Sequence, residues 1–382
     1  MTRTPIAAAV AVAALIALAA VLVGGVDPRT PTPFLRGLAF PTNVAFAPDG
    51  RLFFVEKETG RVRVVVDGKL DAQPVATFDV AGSAERGLLG LAVDPAFATH
   101  PWIYVYYSDA ASGRNLLARF REDRPGRAAH VLLTGLESAS GYHNGGDLVF
   151  GTDGLLYASL GEAHDPTRAQ DPSDLGGTIV RLSPDGGIPS GRPFGADNPV
   201  WSFGHRNSFG LCVDPVNGDL WETENGPDRD DELNLIERGG NYGWPEVTGQ
   251  AGDDAFVDPI AVFPDTVALT GCAVIDGTVY AGAYKDATLY RLPAADRASG
   301  RMQAVASFDA GITDVAAGPG GRLFVATSDA IWTLDPLGPP APPDDGHAGS
   351  WIAVAAAAVL MAGLGLRLAA GRRLRRGAGD DG

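Results

Sequence analysis

Six short stretches of the chain share one pattern of hydrophobic and polar positions. In each, an apolar run leads into a turn rich in Gly, Pro, Asp or Asn, and an alternation of aliphatic and aromatic residues follows. The copies read VAFAPDGRLFFVE from 44, LAVDPAFATHPWIYVYYS from 91, LVFGTDGLLYASLGE from 148, LCVDPVNGDLWETENG from 211, CAVIDGTVYAGAY from 272 and VAAGPGGRLFVATSD from 315. Such alternation on both sides of a turn is typical of a β-hairpin. The pattern therefore predicts six similar hairpins, and no long helical pattern separates them.

The spacing of the hairpins predicts the architecture. Successive copies begin about 45 to 65 residues apart, which leaves room for four short strands per unit and fits propeller blades with inserted loops. Fifty glycines and 28 prolines supply the turns that many short strands need. A two-sheet sandwich is the alternative, but it would not repeat one hairpin six times. We expect an all-β fold, a six-bladed β-propeller over residues 35–335, with function in the loops at one end of its central channel.

Apolar segments flank this region on both sides. Behind Arg3, residues 6–26 form an Ala/Val/Leu run that is typical of an export signal or an uncleaved anchor, here assigned to residues 1–30. A Pro/Asp-rich linker covers 336–350, residues 351–370 supply one membrane-spanning length, and 371–382 form a basic tail with four arginines. A buried helix is the alternative for 351–370. We expect an exported protein held by a C-terminal transmembrane helix, with the propeller outside the cytoplasm.

Charge and cysteine content narrow the partners and the compartment. The net charge of −16 and the pI near 4.7 disfavour nucleic acid, because phosphates bind basic surfaces. The chain has only three lysines, Lys57, Lys69 and Lys285, so each is worth individual attention. Cys212 and Cys272 allow one disulfide in an oxidising compartment, while two buried free thiols are at least as compatible with their apolar surroundings.

The loop before the third hairpin carries a candidate base. It reads GYHNGG from 141, with His143 followed by Asn-Gly-Gly. Glycines let the backbone approach a ligand closely, and an imidazole titrates near neutral pH, so His143 is suited to general-base work. A structural or solvated histidine is the alternative.

Two later loops also carry unusual polar residues. In NPVWSFGHRNSFGL, residues 198–211, His-Arg-Asn interrupts an apolar run, and an arginine beside aromatics needs either an anion or backbone carbonyls. The segment ENGPDRDDELNLIERGGNYGWP, residues 224–245, reads as an irregular loop with many carboxylates, which suits Ca²⁺ with its six to eight oxygen ligands. EF-hand spacing fails there. A solvated acidic loop is the alternative, although its embedded Leu233, Ile236 and Trp244 favour burial.

These three loops, in this order on a six-bladed pattern, resemble those of the soluble pyrroloquinoline-quinone (PQQ)-dependent glucose and aldose sugar dehydrogenases, a fold family that includes sorbosone dehydrogenase-like proteins. The resemblance covers nearly all of residues 35–334. It rests on the blocks ERGLLGLAVDPAF from 85, HNGGDLVFGTDG from 143, AQDPSDLGGTIVRLSPDG from 169, FGHRN from 203 and the 224–245 segment, of which the last is the most specific. The resemblance implies PQQ and calcium as cofactors, an aldose sugar as substrate and an electron acceptor of unspecified identity.

The resemblance also implies roles for single residues around the reaction. His143 matches the base that takes the proton of the anomeric hydroxyl while hydride passes to a quinone carbonyl. Arg206 and Asn207 match residues that face the quinone and the substrate oxygens, and Lys285 matches a lysine that pairs with the cofactor. Glu85 stands where the family places a polar residue near the substrate.

Calcium ligands are implied in the same way. The backbone carbonyls of Gly226 and Pro227 match ligands of the calcium ion that polarises the quinone, a Lewis-acid role. Glu232 and Tyr242 match a further calcium site that holds the long 224–245 segment in place.

The chain departs from the family pattern at several positions. Asp147 replaces an arginine, Tyr142 replaces an acid before the base, and Ser-Phe at 208–209 replaces Pro-Gln. In the last blade, Gly311 and Thr313 stand where the family has two arginines for the cofactor carboxylates. Each lost charge-assisted pair is worth about 1.5 to 3 kcal/mol, so cofactor binding would weaken by roughly two to four powers of ten without compensation.

The function predicted from the sequence is the oxidation of aldoses to lactones by a PQQ- and calcium-dependent aldose sugar dehydrogenase. A non-catalytic, calcium-stabilised propeller that binds a glycan or a protein is the alternative, favoured by the missing arginines. A calcium-dependent lactone hydrolase is a third hypothesis. It requires several loop carboxylates that hold a metal ion in the channel. No GxGxxG leads from a strand into a helix, so a dinucleotide site has no support.

Overall fold

The six predicted hairpins form the inner halves of six antiparallel sheets. The structure, a computed structural model, describes residues 30–336. Within that range, the chain folds into five sheets of consecutive strands and a sixth that joins its first strand to its last three. The inner strands of neighbouring sheets contact one another in a closed ring. The all-β, six-bladed β-propeller is confirmed.

Each blade runs from an inner strand at the channel to an outer strand. Blade 1 contains β2 (Pro41–Phe46), β3 (Leu52–Glu56), β4 (Arg61–Val66), β5 (Lys69–Leu70) and β6 (Ala76–Thr77); blade 2 contains β7 (Leu88–Val93), β8 (Trp102–Ser108), β9 (Asn115–Arg121) and β10 (His130–Leu136); blade 3 contains β11 (Gly145–Phe150), β12 (Leu156–Leu160), β13 (Thr178–Leu182) and β14 (Val200–Phe203). Blade 4 contains β15 (Ser208–Val213), β16 (Leu220–Glu224), β17 (Asp231–Leu235) and β18 (Ala261–Phe263); blade 5 contains β19 (Leu269–Ile275), β20 (Thr278–Ala283), β21 (Thr288–Leu292) and β22 (Gln303–Ser307); blade 6 contains β23 (Ile312–Ala317), β24 (Leu323–Thr327), β25 (Ala330–Leu334) and β1 (Thr32–Arg36). Short 3-10 helices occupy Pro166–Arg168, Ala294–Ser299 and Pro319–Gly321.

The ring is closed by its first strand. Strand β1 pairs antiparallel with β25, so the outermost strand of blade 6 comes from the beginning of the described chain. The Thr32 and Thr333 hydroxyls lie 3.0 Å apart across this pair. The closure leaves no gap between the last blade and the first.

Burial explains why the second strand of each hairpin reads as a nearly continuous apolar run. These strands lie between two neighbouring sheets, and β3, β12, β20 and β24 are buried at every position. A strand covered on both faces has no solvent face to mark with alternate polar residues. The exception is β16, LWETE, which is equally buried but carries two glutamates. Glu222 thus stands where β3, β12 and β24 carry Phe54, Ala158 and Val325, whereas Glu224 matches the buried Glu56 at the end of β3.

The two cysteines lie on neighbouring inner strands. Cys212 on β15 and Cys272 on β19 form a disulfide with their Cα atoms 5.6 Å apart, so blades 4 and 5 are covalently joined at the channel wall. Of the two alternatives that the sequence left open, the structure shows the disulfide.

The remaining expected segments lie outside the described residues. They are the N-terminal signal or anchor, nearly all of the linker, the helix at 351–370 and the basic tail. Within residues 30–336, no helix is long and apolar enough to cross a membrane.

Candidate active site at the mouth of the channel

A cavity of about 500 Å³ opens at the end of the channel where the inner strands begin. The segments just before β2, β7, β11, β15 and β19 contribute Phe40, Glu85, His143, Arg206 and Ala268 to its wall. The loop after β16 adds its own wall with Asn225, Gly226 and Pro227. The structure therefore brings His143, Arg206, Asn207, Glu85, Gly226 and Pro227 together around one space.

His143 is held by hydrogen bonds that orient its ring. Its backbone N–H donates to Glu85 Oε2 at 2.7 Å, and its Nδ1 lies 2.7 Å from Glu162 Oε1. Glu162 is fully buried and its carboxylate only accepts, so Nδ1 carries the proton. The lone pair is then on Nε2, which has no hydrogen-bond partner within residues 30–336. An imidazole oriented in this way can accept a proton from a ligand in the cavity.

The glycines after His143 allow two backbone segments to touch. A Cβ on Gly145 would lie 2.6 Å from the Gly161 nitrogen, and one on Gly161 would lie 2.0 Å from the His143 carbonyl oxygen. This contact brings Glu162 next to the imidazole. His143 itself has a φ of 53°, in the left-handed region, where a non-glycine backbone is strained.

Glu85 and Asn207 tie three blades together at the cavity. The Asn207 side chain donates to Glu85 Oε2 at 3.2 Å, and its Oδ1 accepts from the Gly145 N–H at 3.2 Å. Glu85 thus receives donors from both the His143 backbone and Asn207. The predicted substrate-side residue belongs to the network that positions the base.

Blade 4 contains a second His–Glu pair in the equivalent place. His205 Nδ1 lies 3.0 Å from Glu224 Oε2, and the sequence separation of 19 equals that of His143 and Glu162. The other nitrogen of His205 lies 2.9 Å from Ser202 Oγ, so neither nitrogen is free. The two pairs occupy equivalent positions in blades 3 and 4. Of the two histidines, only His143 has a nitrogen available to a ligand. Aligning blades 3 and 4 in the sequence would have revealed Glu162 and Glu224, which sequence reasoning missed.

Arg206 bridges the cavity and the 224–245 segment. Its guanidinium donates to the Asn225 carbonyl at 2.9 Å and lies over the Trp244 ring, 5.3 Å from its centroid. Its backbone N–H donates to Glu224. Burial lowers the pKa of Arg206 from its ordinary value, and its Nε has no hydrogen-bond partner within residues 30–336. Of the two sequence alternatives, the structure shows the carbonyl contact, and Nε remains an unused donor.

The 224–245 segment is not one irregular loop, as the sequence suggested. Strand β17 lies inside it, and Asp231 at the start of β17 accepts from the backbone N–H groups of Gly226, Val267 and Ala268. These bonds fix the turn that carries Gly226 and Pro227 at the cavity wall. Burial raises the pKa of Asp231.

Three buried glutamates form an acidic cluster behind this wall. Glu222, Glu224 and Glu232 face one another across β16 and β17, and burial raises the pKa of each to about 8. Glu222 Oε1, Asn225 Oδ1 and Asn234 Oδ1 are buried oxygens without a hydrogen-bond partner in the described chain. Unpartnered oxygens beside buried carboxylates fit a hard cation.

A second, small cavity of about 10 Å³ lies at this cluster. Glu224, Asp230, Glu232, Tyr242 and Gly226 are among its lining residues. The Tyr242 hydroxyl donates to the Leu235 carbonyl at 2.7 Å and accepts from the Glu237 N–H at 2.8 Å, which leaves its backbone carbonyl as the group able to face a cation. The space suits one ion or one water. Glu232 and Tyr242 therefore line a space that fits one cation, and Gly226 borders both this space and the large cavity.

Lys285 does not line the large cavity, contrary to the sequence expectation. Its Nζ donates to Thr266 Oγ1 at 3.0 Å on the exposed side, and Thr266 is the residue that lines the cavity. Its neighbour Tyr284 points there instead. Lys285 thus lies at the rim of the cavity, and Thr266 stands between its ammonium group and the cavity.

The missing arginines of blade 6 have a structural counterpart. A Cβ on Gly311 would lie 2.5 Å from the Tyr284 carbonyl oxygen and 2.7 Å from its ring, so Tyr284 occupies the space that a larger residue would need. Thr313 lines the cavity, but its hydroxyl donates to the Pro41 carbonyl at 2.6 Å. This wall therefore presents an aromatic surface, with Phe40 and Tyr284 in contact, in place of two guanidinium groups.

Asp147 lies between the cavity and the rest of the channel and lines both. Its carboxylate accepts from Asn43 Nδ2 and from the Leu148 and Leu211 N–H groups, at 2.6–2.8 Å. Burial raises its pKa to about 7, and burial together with the charge of Asp147 raises the pKa of Asp314. Asp147 and Asp314 thus lie in the channel as two buried carboxyl groups, and neither makes an ion pair within residues 30–336.

The fold and the cavity together define a six-bladed propeller that holds an oriented histidine at the mouth of its channel. The chain belongs to the glucose/sorbosone dehydrogenase family, whose model matches residues 38–333. The prediction of this family, and of an oxidoreductase acting on sugars, is confirmed.

Individual relatives agree with the family match. The chain is 29% identical to the aldose sugar dehydrogenase YliI of Escherichia coli, over 79% of this chain and 91% of that protein. It is 30% identical to quinoprotein glucose dehydrogenase B of Acinetobacter calcoaceticus, over 58% of this chain and 53% of that protein. The structure of the PQQ-bound aldose sugar dehydrogenase of Streptomyces coelicolor superposes with a TM-score of 0.74 at 32% identity, covering 80% of this chain and 96% of that one.

Proposed function

We propose that this protein is a PQQ- and calcium-dependent aldose dehydrogenase that oxidises the anomeric carbon of an aldose to a lactone. The observation that carries the proposal is His143, with Nδ1 fixed by Glu162 and Nε2 unpartnered in a cavity of about 500 Å³. A cavity of this size suits a cofactor and a small substrate. Relatives that are named as quinoproteins, or were solved with PQQ bound, support the cofactor.

The chain's own residues divide the work of such a reaction. His143 Nε2 takes the proton of the anomeric hydroxyl, and Glu162 stabilises the imidazolium that results. Glu85 and Asn207 keep the base in place and offer polar groups to sugar hydroxyls. Arg206, Asn207 and the rim Lys285 would hold the cofactor. When bound, the quinone would supply a two-electron oxidant for the anomeric carbon, and a separate acceptor would be needed to reoxidise it.

Calcium is proposed at two places on blade 4. The Gly226–Pro227 turn offers carbonyls beside the cavity, where a cation would act as a Lewis acid toward the cofactor. The small cavity at Glu232 and Tyr242 offers carboxylates and a carbonyl for a cation that fastens β17 to the turn. Unpartnered Asn225 Oδ1, between the two places, supports a cation there.

The propeller is proposed to work outside the cytoplasm, tethered through the C-terminal segment. The Cys212–Cys272 disulfide supports this location, since structural disulfides persist in oxidising compartments. Protease added to intact cells should digest the propeller. Protection until the cells are lysed would contradict the location.

The cofactor wall favours a second candidate function. Gly311 and Thr313 supply no charge, and Tyr284 fills the space beside them. A calcium-stabilised propeller that binds a glycan at the same mouth, without redox chemistry, is consistent with that wall. This candidate predicts calcium binding and no PQQ binding.

The test of the catalytic role is His143→Ala in the full-length protein, reconstituted with PQQ and calcium. Loss of a general base should lower kcat for aldose-dependent dye reduction by about 10² to 10⁴-fold, with the melting temperature little changed. Arg127→Ala, in the exposed loop between β9 and β10 that does not line the cavity, is the control and should keep full activity. Activity retained by His143→Ala would remove His143 from the mechanism.

A further inference from the structure

Lys57 is a buried lysine of the cavity wall to which no role has been assigned. It follows β3, is 8% exposed, and lines the cavity beside Phe40, Ala84 and Glu85. Its Nζ donates to the Ala84 carbonyl at 2.6 Å and lies 5.5 Å from the centroid of the Phe40 ring. Of the three lysines in the chain it is the one on this wall.

The ammonium group of Lys57 lacks a counter-ion. Within residues 30–336 its Nζ makes one hydrogen bond and no ion pair, although an ammonium has three N–H donors. Burial lowers its pKa, and the carboxylates of Glu58 and Glu85 act on it only from a distance. A buried, under-coordinated cation is costly unless an anion completes its surroundings. The unused donors therefore indicate an anionic group that enters with a ligand.

The position of Lys57 indicates which part of the ligand it meets. Ala84, which accepts from its ammonium, is adjacent to Glu85, and Glu85 accepts from the His143 N–H at 2.7 Å. The ammonium thus contacts Ala84, the residue before Glu85, and lines the same cavity as His143. The Gly226–Pro227 turn, the proposed cofactor calcium ligand, comes from blade 4, whereas Lys57 comes from blade 1.

We propose that Lys57 is a carboxylate-binding subsite and that the aldoses accepted by this cavity include uronic acids, which carry a carboxylate at the end of the sugar opposite the anomeric carbon. The substrate assignment rests on the proposed function. The anomeric hydroxyl meets His143, and the distant carboxylate meets Lys57. The carboxylate is a spectator, so proton and hydride balance as for a neutral aldose. A carboxylate of the cofactor is the other source of the same chemistry.

The first experiment measures binding and needs no turnover. Calorimetry on the full-length protein with calcium and without quinone compares D-glucuronate with D-glucose for wild type, Lys57→Met, Lys57→Arg and Lys69→Met. Methionine keeps the length of the side chain and removes its charge, arginine restores the charge, and Lys69 lies on the outer strand β5 of the same blade. Wild type should bind glucuronate more tightly than glucose. Lys57→Met should weaken glucuronate binding by about 10- to 100-fold, with Lys57→Arg and Lys69→Met near wild type.

The second experiment separates the two sources of carboxylate. PQQ titrations and dye-reduction kinetics on the same variants should show that Lys57→Met lowers kcat/KM for glucuronate at least tenfold more than for glucose, with less change in PQQ affinity. If Lys57→Met weakened PQQ binding and left the preference for glucuronate unchanged, Lys57 would be a cofactor ligand. That result would overturn the uronic-acid assignment. Equal affinity of wild type for both sugars, or equal loss of both in Lys57→Met, would overturn the subsite. Charge-dependent glucuronate binding without sugar oxidation would keep the subsite and refute the proposed dehydrogenase.

Discussion

At the scale of single residues, the difference between His143 and His205 is the number of nitrogens already engaged. Both rings contact a glutamate 19 residues further on, at 2.7 and 3.0 Å. His205 is fully buried and bonds Ser202 through its other nitrogen, and burial lowers its pKa. His143 keeps Nε2 for the cavity. The same local geometry therefore engages both nitrogens in blade 4 and leaves one nitrogen for a ligand in blade 3.

Glu162 is a positioning residue, and its replacement should affect turnover more than binding. Glu162→Gln retains the volume but removes the charge that stabilises a protonated His143 ring. We expect kcat to fall by about 10²-fold while KM changes much less. Steady-state dye reduction measures both constants. Glu137→Gln, which removes an exposed surface ion pair with Arg114, is the matched control. A rise in KM of about 10²-fold with an unchanged kcat would instead assign Glu162 to substrate binding.

Asp147 should make folding stability depend on pH. Its pKa is about 7 in the folded protein and near 3.8 when unfolded, so the folded state binds more protons between these values. This carboxyl group should therefore lower the free energy of unfolding as pH rises from about 4 to 7, by up to about 4 kcal/mol, and its own contribution should level off above that window.

The measurement for Asp147 is chemical denaturation against pH in excess calcium. Asp147→Asn should flatten the slope, whereas Asp67→Asn, in the exposed turn between β4 and β5, should not. An unchanged slope in Asp147→Asn would show that this carboxyl group ionises freely in the folded protein.

At the scale of elements, strand β16 accounts for the character of blade 4. Its sequence LWETE occupies a fully buried position that other blades fill with LFFVE, LYASL or LFVAT. The sequence identified the hairpin because apolar periodicity and turn residues survive in this copy. It did not identify the acidic cluster, because the partners Glu222, Glu224 and Glu232 meet only when β16 pairs with β17. The sequence identified Asp147 but not its proximity to Asp314, because the two residues lie on different blades.

Calcium should stabilise this element, and more so at higher pH. Burial raises the pKa of Glu222, Glu224 and Glu232 to about 8, so a cation must displace protons to bind. Calcium at about 100 times its dissociation constant should add about 2.7 kcal/mol to the free energy of unfolding. The gain in melting temperature should be larger at pH 8 than at pH 6.

Glu232→Gln should reduce that gain, and Asp228→Asn, exposed in the adjoining turn, should retain it. Thermal melts with calcium and with a chelator measure the difference. Identical melts under both conditions would contradict a calcium site at Glu232 and Tyr242.

At the scale of the whole molecule, six similar units close into a ring through β1 and are joined once more by a disulfide. The architecture was predictable because the hairpin signal repeats and each unit must bury both faces of its second strand. The closing partner of β1 and the pairing of the cysteines were not, because both depend on contacts between distant segments. Tyr284, which fills the space beside Gly311, is a contact of this kind.

Removal of the disulfide should destabilise the ring without moving the cavity. Cys212 and Cys272 are 60 residues apart and link blades 4 and 5. The disulfide therefore lowers the conformational entropy of the unfolded chain relative to that of a chain without it. The double substitution to alanine should lower the free energy of unfolding by about 2–4 kcal/mol, measured by denaturation under oxidising conditions. Reductant should lower wild-type stability and leave the double variant unchanged. Equal stability of the two proteins would show that the blades need no covalent link.

The most direct test of the proposed function is a titration of the full-length protein with PQQ in excess calcium, followed by dye reduction with a panel of aldoses. Saturable binding together with aldose-dependent reduction is the predicted result, despite the aromatic wall at Gly311 and Thr313. No binding at high micromolar PQQ, in protein that still binds calcium, would contradict the dehydrogenase and favour a binding propeller.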